Sequence, residues 1–119
     1  MAGFVFNRDL SGIPSKEKLD ETIPVQKPFW IEHPEELHSE KIRATWIGHA
    51  SVLAEVDGSV VLTDPIFSQR CSPVQWAGMK RYRPPACTVE ELPKVDAIVI
   101  SHTHYDHLDL ISVKKLHKR

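Results

Sequence analysis

The aliphatic run at residues 95–100 passes without a spacer into Ser101-His102-Thr103-His104-Tyr105-Asp106-His107-Leu108-Asp109, and this junction limits the possible folds more than any other feature of the chain. A nearly continuous aliphatic run reads as a strand covered on both faces, which requires packed layers above and below it. The polar residues must then emerge together at its end. Three imidazoles and a carboxylate at positions 102–107 are the ligand types that a borderline divalent cation such as zinc takes at neutral pH, and a rigid strand behind them fixes their directions. On an extended backbone His102 and His104 point the same way by two-residue alternation. Asp106 and His107 lie past a turn, so the spacing suggests two ions. A histidine-rich surface loop beside a strand is the blander alternative, disfavoured by the density of ligand-type side chains.

Composition matters mainly for what it excludes. The 119 residues, 41% apolar and 26% charged, suit at most one ordinary globular domain. A formal charge of −1 gives no broad positive field, so nucleic acid is not expected as a partner. Cys71 and Cys87 read as reduced thiols rather than a disulfide, since no secretory signal is evident. The apolar triplet Phe4-Val5-Phe6 is too short for a signal sequence, and no window is long enough to span a bilayer. The expected location is intracellular, either cytoplasmic or peripheral on internal membranes.

Residues 1–39 hold Pro14, Pro24, Pro28 and Pro34 among mixed charges, lack sustained periodicity, and read as an extended arm before a domain at 40–119. Phe29-Trp30-Ile31 is the one sticky patch of this arm, expected to cover a sheet edge rather than to meet a partner. Ile42, Ala44 and Trp46 then alternate with Lys41, Arg43 and Thr45, the period of a half-buried strand running into Gly48-His49. Segments 51–56 and 59–63 flank Asp57-Gly58, a pair suited to a type I′ hairpin turn. Asp64-Pro65 ends the second arm and delivers the aspartate to the sheet rim. Residues 66–85 read as a long loop carrying Trp76, Met79, Lys80, Arg81, Tyr82 and Arg83. Thr88-Val89-Glu90-Glu91 has the form of a capping box opening a short helix that Pro93 stops. Leu110, Val113 and Leu116 predict a terminal helix starting near Asp109.

A hairpin, a Thr-Asp-Pro turn and a strand ending in His-x-His-x-Asp-His together resemble the metallo-β-lactamase superfamily, an αββα sandwich with metal ligands at strand ends. Three stretches narrow the resemblance to the branch of N-acylphosphatidylethanolamine-hydrolysing phospholipase D. They are Thr45-Trp46-Ile47-Gly48-His49-Ala50-Ser51, Leu62-Thr63-Asp64-Pro65-Ile66-Phe67-Ser68 and Lys80-Arg81-Tyr82-Arg83-Pro84-Pro85, within a match over residues 42–116. The implied fold class is α/β (α+β), the first half of the sandwich preceded by the extended arm.

The resemblance implies two zinc ions in the complete domain, the first held by His102 and His104, the second by Asp106 and His107. Asp106 would also orient the nucleophile, since zinc lowers the pKa of water from about 15.7 toward ~7. Tyr105 matches a substrate-contacting position. Asp64 matches an aspartate that can hold a ligand imidazole in one tautomer, although a turn aspartate before proline is an equal reading. His49 either faces the metal cleft or satisfies the strand-to-turn backbone, and the second reading is favoured. The implied substrate is N-acylphosphatidylethanolamine, cleaved to N-acylethanolamine and phosphatidic acid. Peripheral membrane contact, no nucleic acid, and a homodimer of the complete protein go with it. For the basic aromatic loop, an anionic lipid surface and pairing with local carboxylates both stay open.

In the family a third ligand for each ion and a bridging aspartate come from the second half of the domain, and no counterpart follows here except His117, expected to face solvent. The expectation is therefore an incomplete domain that binds zinc weakly and turns over no phospholipid. Another hydrolase of the same fold, acting on a phosphoester, lactone or nucleic acid, is the alternative. A non-catalytic fragment that pairs through its sheet edge is a further one.

Overall fold

The computed structural model describes residues 11–37 and 42–119, so the Phe4-Val5-Phe6 triplet and Lys41 lie outside the described residues. A four-stranded sheet forms the frame. Strands β1 (Arg43–Gly48), β2 (Ser51–Val56) and β3 (Ser59–Thr63) are antiparallel neighbours. The expected hairpin joins β2 to β3, with Val56 opposite Ser59 and positive φ at both Asp57 (50°) and Gly58 (77°), as a type I′ turn demands. Two further two-residue strands, β4 (Arg70–Cys71) and β5 (Met79–Lys80), pair with each other. The polypeptide then returns as β6 (Ala97–Val99), parallel to β3, giving the order β1-β2-β3-β6.

The small β4–β5 ladder interrupts what the sequence reads as unbroken loop. Gln75 makes it possible, because its side-chain amide accepts from the Arg70 N–H at 3.1 Å and donates to the Arg70 carbonyl at 3.1 Å, as a strand backbone would. Gly78 closes the return at φ +97°, where a Cβ would lie 2.6 Å from that of Ser72.

One face of the sheet is covered. Ile47, Leu53, Val60 and Leu62 are buried there with Trp30, Cys87 and Leu92, and Leu116 of the terminal helix packs against them. Each fully buried aliphatic side chain of this kind contributes roughly 1.5–3 kcal/mol. Cys71 and Cys87 are free thiols, as expected, and burial with the nearby Glu91 carboxylate pushes the Cys87 thiol up to about 11.

The arm stays outside the sheet but is not extended throughout. Ser15 caps α1 (Lys16–Thr22) by accepting from Lys18 N–H, and Lys16 pairs with Asp20 one turn on. Helix α2 (Phe29–Glu32) starts after Pro28, and a 3₁₀ turn (Pro34–Glu36) follows with Pro34 at its first position. The prolines thus open short helices instead of forbidding them. Trp30 on α2 is 4% exposed and donates from Nε1 to the Glu91 carbonyl at 3.0 Å. It covers the sheet's face, not its edge.

Three other expectations change. The apolar set of β1 is not the buried one: Ile42 is 76% and Trp46 65% exposed, while Ile47 enters the core. Strand β6 is not covered on both faces: all three of its residues are exposed, Val99 at 52%. Thr88 N–H donates to Glu91 Oε2 at 2.8 Å, the expected half of a capping box, yet only a single turn forms before Pro93. The last helix, α3 (Leu110–His117), begins where the sequence places it, with Asp109 as its cap and His117 exposed. No helix among the described residues is long and apolar enough to cross a membrane.

Candidate metal centre

Strands β1, β3 and β6 all run in the same direction, so their C-terminal ends open at one edge of the sheet. Three short segments meet there: Gly48-His49 after β1, Asp64-Pro65 after β3, and residues 101–107 after β6. Asp64 ties the last two together. Its N–H continues the ladder to the Val99 carbonyl at 2.9 Å, Oδ1 accepts from Ser101 N–H at 2.7 Å, and Oδ2 accepts from His107 Nδ1 at 2.9 Å. The residue adopts φ +38°, a conformation that aspartate tolerates better than most side chains. Fully buried Ser51 braces this turn, donating from Oγ to the Asp64 carbonyl (2.7 Å) and accepting from Ile66 N–H (2.9 Å).

The loop itself folds by one turn, with His107 N–H and Leu108 N–H both donating to the His104 carbonyl. Past that turn, Asp106 and His107 come round toward the histidines before it. His102 Nε2 lies 3.2 Å from His104 Nδ1, and His107 Nε2 lies 3.7 Å from Asp106 Oδ2. The rings of His102 and His107 are 4.0 Å apart at their centres. Ligand atoms of His102, His104 and Asp106 fall within 4.8 Å of one another, and so do those of His49, Asp106 and His107. Asp106 belongs to both groups.

A proton inventory fixes which ring nitrogens are free. His107 Nδ1 must carry the hydrogen that reaches Asp64, which in the neutral ring leaves a lone pair on Nε2. The Ser101 hydroxyl donates to Asp64 Oδ2 at 2.8 Å, so its contact with His102 Nδ1 at 2.9 Å requires the imidazole to donate and its Nε2 to hold a lone pair. Burial acts to raise the Asp64 carboxyl, but the hydrogen bonds from His107 and Ser101 overcome it and hold the group below the ordinary carboxylate value. Asp106 is also held low, since burial is outweighed by its own backbone amide and by His49. Both carboxylates are ionised at neutral pH. Neutral imidazole nitrogens and an ionised carboxylate oxygen aimed into one space fit a zinc-like divalent ion.

The structure therefore brings together His102, His104, Asp106 and His107, with Asp64 behind them. Tyr105 sits on the same loop and is 54% exposed. Sequence reasoning set His49 aside, but its Nε2 lies 3.4 Å from Asp106 Oδ2. The usable signal was strand direction, because a residue ending β1 must share an edge with residues ending β3 and β6. A cleft of about 500 Å³ opens beside His49, lined by Ile23, Val25, Trp46, Met79 and Tyr82. Of the basic residues near it, Arg81 donates to the carbonyls of Ile66 (2.7 Å) and Arg83 (3.1 Å), and Arg83 pairs with Asp20 at 2.6 Å. Lys80, Trp76 and Met79 are exposed.

The chain is similar to several known proteins. The beta-lactamase superfamily domain matches residues 59–119. The chain is 45% identical over 106 residues to N-acyl-phosphatidylethanolamine-hydrolyzing phospholipase D 1 of Caenorhabditis elegans, covering 87% of this chain and 29% of that protein. It is 29% identical over a gapped alignment of 140 positions to the mitochondrial N-acyl-phosphatidylethanolamine-hydrolyzing phospholipase D of Saccharomyces cerevisiae (92% of this chain, 30% of that one). A UPF0173 metal-dependent hydrolase of Aeropyrum pernix is 39% identical over 66 residues (56% and 22%). The chain thus spans less than a third of the length of these relatives.

Proposed function

This chain belongs to the beta-lactamase superfamily, and from that premise we propose that it carries the metal loop of a zinc-dependent phosphodiesterase cleaving N-acylphosphatidylethanolamine into N-acylethanolamine and phosphatidic acid. The observation that carries the proposal is the convergence of His102, His104, Asp106 and His107 on one space with Asp64 bracing them. The substrate follows from the relatives named as phospholipases and from the apolar cleft beside His49. When bound, zinc supplies a Lewis acid and water acidified to a pKa near 7. His102 and His104 would hold one ion, and Asp106 with His107 a second. Asp106 is the candidate catalytic residue, because carboxylate lone pairs not used for binding can orient the attacking water. Water oxygen bonds to phosphorus, the bond to the ethanolamine oxygen breaks, and that oxygen takes the proton. Tyr105, exposed on the same loop, would touch the headgroup.

Membrane contact would come from the exposed Trp76, Met79 and Lys80, each basic group near an anionic surface adding about 1 kcal/mol. Arg81 and Arg83 are internal struts and are assigned no such role. Because His102 and His104 are exposed and both donor groups share one carboxylate, the 119-residue chain alone is expected to hold zinc at micromolar affinity or weaker and to turn over no phospholipid. Zinc competition titration and a lipid-hydrolysis assay test that statement, and submicromolar binding with turnover would overturn it. Substrate is tested by exchanging the 106 matched residues into the Caenorhabditis elegans relative. The lipid assignment requires the chimera to cleave N-acylphosphatidylethanolamine vesicles. A chimera that binds zinc but cleaves only bis-p-nitrophenyl phosphate refutes it.

A further inference from the structure

We infer that His49 is a metal ligand, its Nε2 completing a three-donor site with Asp106 and His107 for a divalent transition ion that prefers nitrogen and oxygen. The inference rests on the loop being a metal centre and adds a donor from a different strand.

Backbone geometry delivers the ring. The β1–β2 register shifts between Trp46 and Gly48, and the chain then passes through Gly48 at φ +139° and His49 at φ +53°. Positive φ at a non-glycine residue is uncommon, and here it turns the His49 side chain across the sheet end. Trp46 holds the turn by donating from Nε1 to the His49 carbonyl at 2.8 Å. A side chain at position 48 would also meet Arg81, whose Nη2 lies 2.9 Å from the ideal Cβ position. The turn is therefore specified from three directions.

The distances suit coordination. A tetrahedral ion with Zn–N bonds of about 2.0–2.1 Å separates neighbouring donors by roughly 3.3 Å. His49 Nε2 stands 3.4 Å and His107 Nε2 3.7 Å from the same Asp106 Oδ2. The His49 and His107 ring centres are 6.0 Å apart, so both rings flank Asp106 without stacking. With Nδ1 of His107 committed to Asp64, its Nε2 can serve only as an acceptor or a ligand. Burial does not force His49 against Asp106, because the His49 side chain is 44% exposed. What joins them is the shape of the turn.

Cobalt(II) and zinc titrations of the 119-residue chain test the assignment, with visible absorption and histidine-ring NMR as readouts. His49→Ala is expected to weaken binding at least tenfold and to change the cobalt absorption band. In the unmodified chain, the His49 ring signals should move on zinc addition together with those of His107. Wild-type affinity in His49→Ala, or a His49 ring that zinc leaves unmoved, overturns the inference. If His49→Ala fails to fold, the NMR arm on the unmodified chain decides alone. His102→Ala separates the two claims: binding weakened by this change but not by His49→Ala leaves the metal loop standing and removes only His49. An unmodified chain that binds neither ion removes both.

Discussion

At the residue scale, the site depends on two side chains that touch no reacting atom. Asp64→Asn would place an amide N–H₂ or a weaker acceptor opposite His107 Nδ1 and release the tautomer that frees Nε2. Loss of such a supporting carboxylate typically costs 10–100-fold in metal affinity, and that is the expected outcome in a zinc competition assay. Ser51→Ala removes two buried hydrogen bonds and strands the Ile66 amide, which should cost about 1–3 kcal/mol in urea unfolding. The clustering of the four candidate donors was legible in the sequence because all lie within six residues of the chain. Asp64 was half legible: the Thr-Asp-Pro turn put it at the rim, but nothing in one dimension could distinguish a turn aspartate from one bonded to His107. The approach of His49 to Asp106 was not legible, because it depends on a register shift and a positive φ, which leave no compositional trace.

At the element scale, α3 is fastened through its cap. Asp109 Oδ1 accepts from Ile111 N–H at 3.0 Å, and Oδ2 accepts from Ser68 N–H at 3.1 Å and the Ser112 hydroxyl at 2.5 Å. Asp109→Ala should therefore destabilise the chain by about 1–2 kcal/mol, measured by chemical denaturation. Burial raises the Asp109 carboxyl, but these hydrogen bonds outweigh it and leave it below its ordinary value of 3.8. A depressed folded value means that the stabilisation is complete above that pH and is lost as the pH falls through the folded value. Acid titrations should show stability declining below about pH 4, with a shallower slope in Asp109→Asn. Helix α3 and the β2–β3 hairpin were legible because periodicity and turn chemistry agree over enough residues. The short helices of the arm and the β4–β5 ladder were not, since caps and a single glutamine amide decide them locally.

At the scale of the whole molecule, the sheet has one covered face and one open face among the described residues. Trp46 of β1 and Val99 of β6 stand exposed at 65% and 52%, with Ala44 and Ala97 exposed on the same side. Apolar surface of this extent favours association. The chain should bind an apolar fluorescent dye and sediment as concentration-dependent oligomers, whereas Ala44→Lys should sediment as a monomer at concentrations where the unmodified chain associates. The opposite face was predictable from its aliphatic residues, but which side of β1 goes inward was not, because the pairing register sets Arg43 and Thr45 across from the buried Glu55 and Leu53. Direction along the strands has a practical consequence. The Asp57-Gly58 turn begins six residues on from Ser51, roughly 20 Å along the sheet from the edge that carries the histidines, and a Cβ on Gly58 would meet nothing within 4 Å. A reporter peptide spliced between those two residues should leave cation chemistry undisturbed, making that tip the natural attachment point for immobilising the protein on a surface.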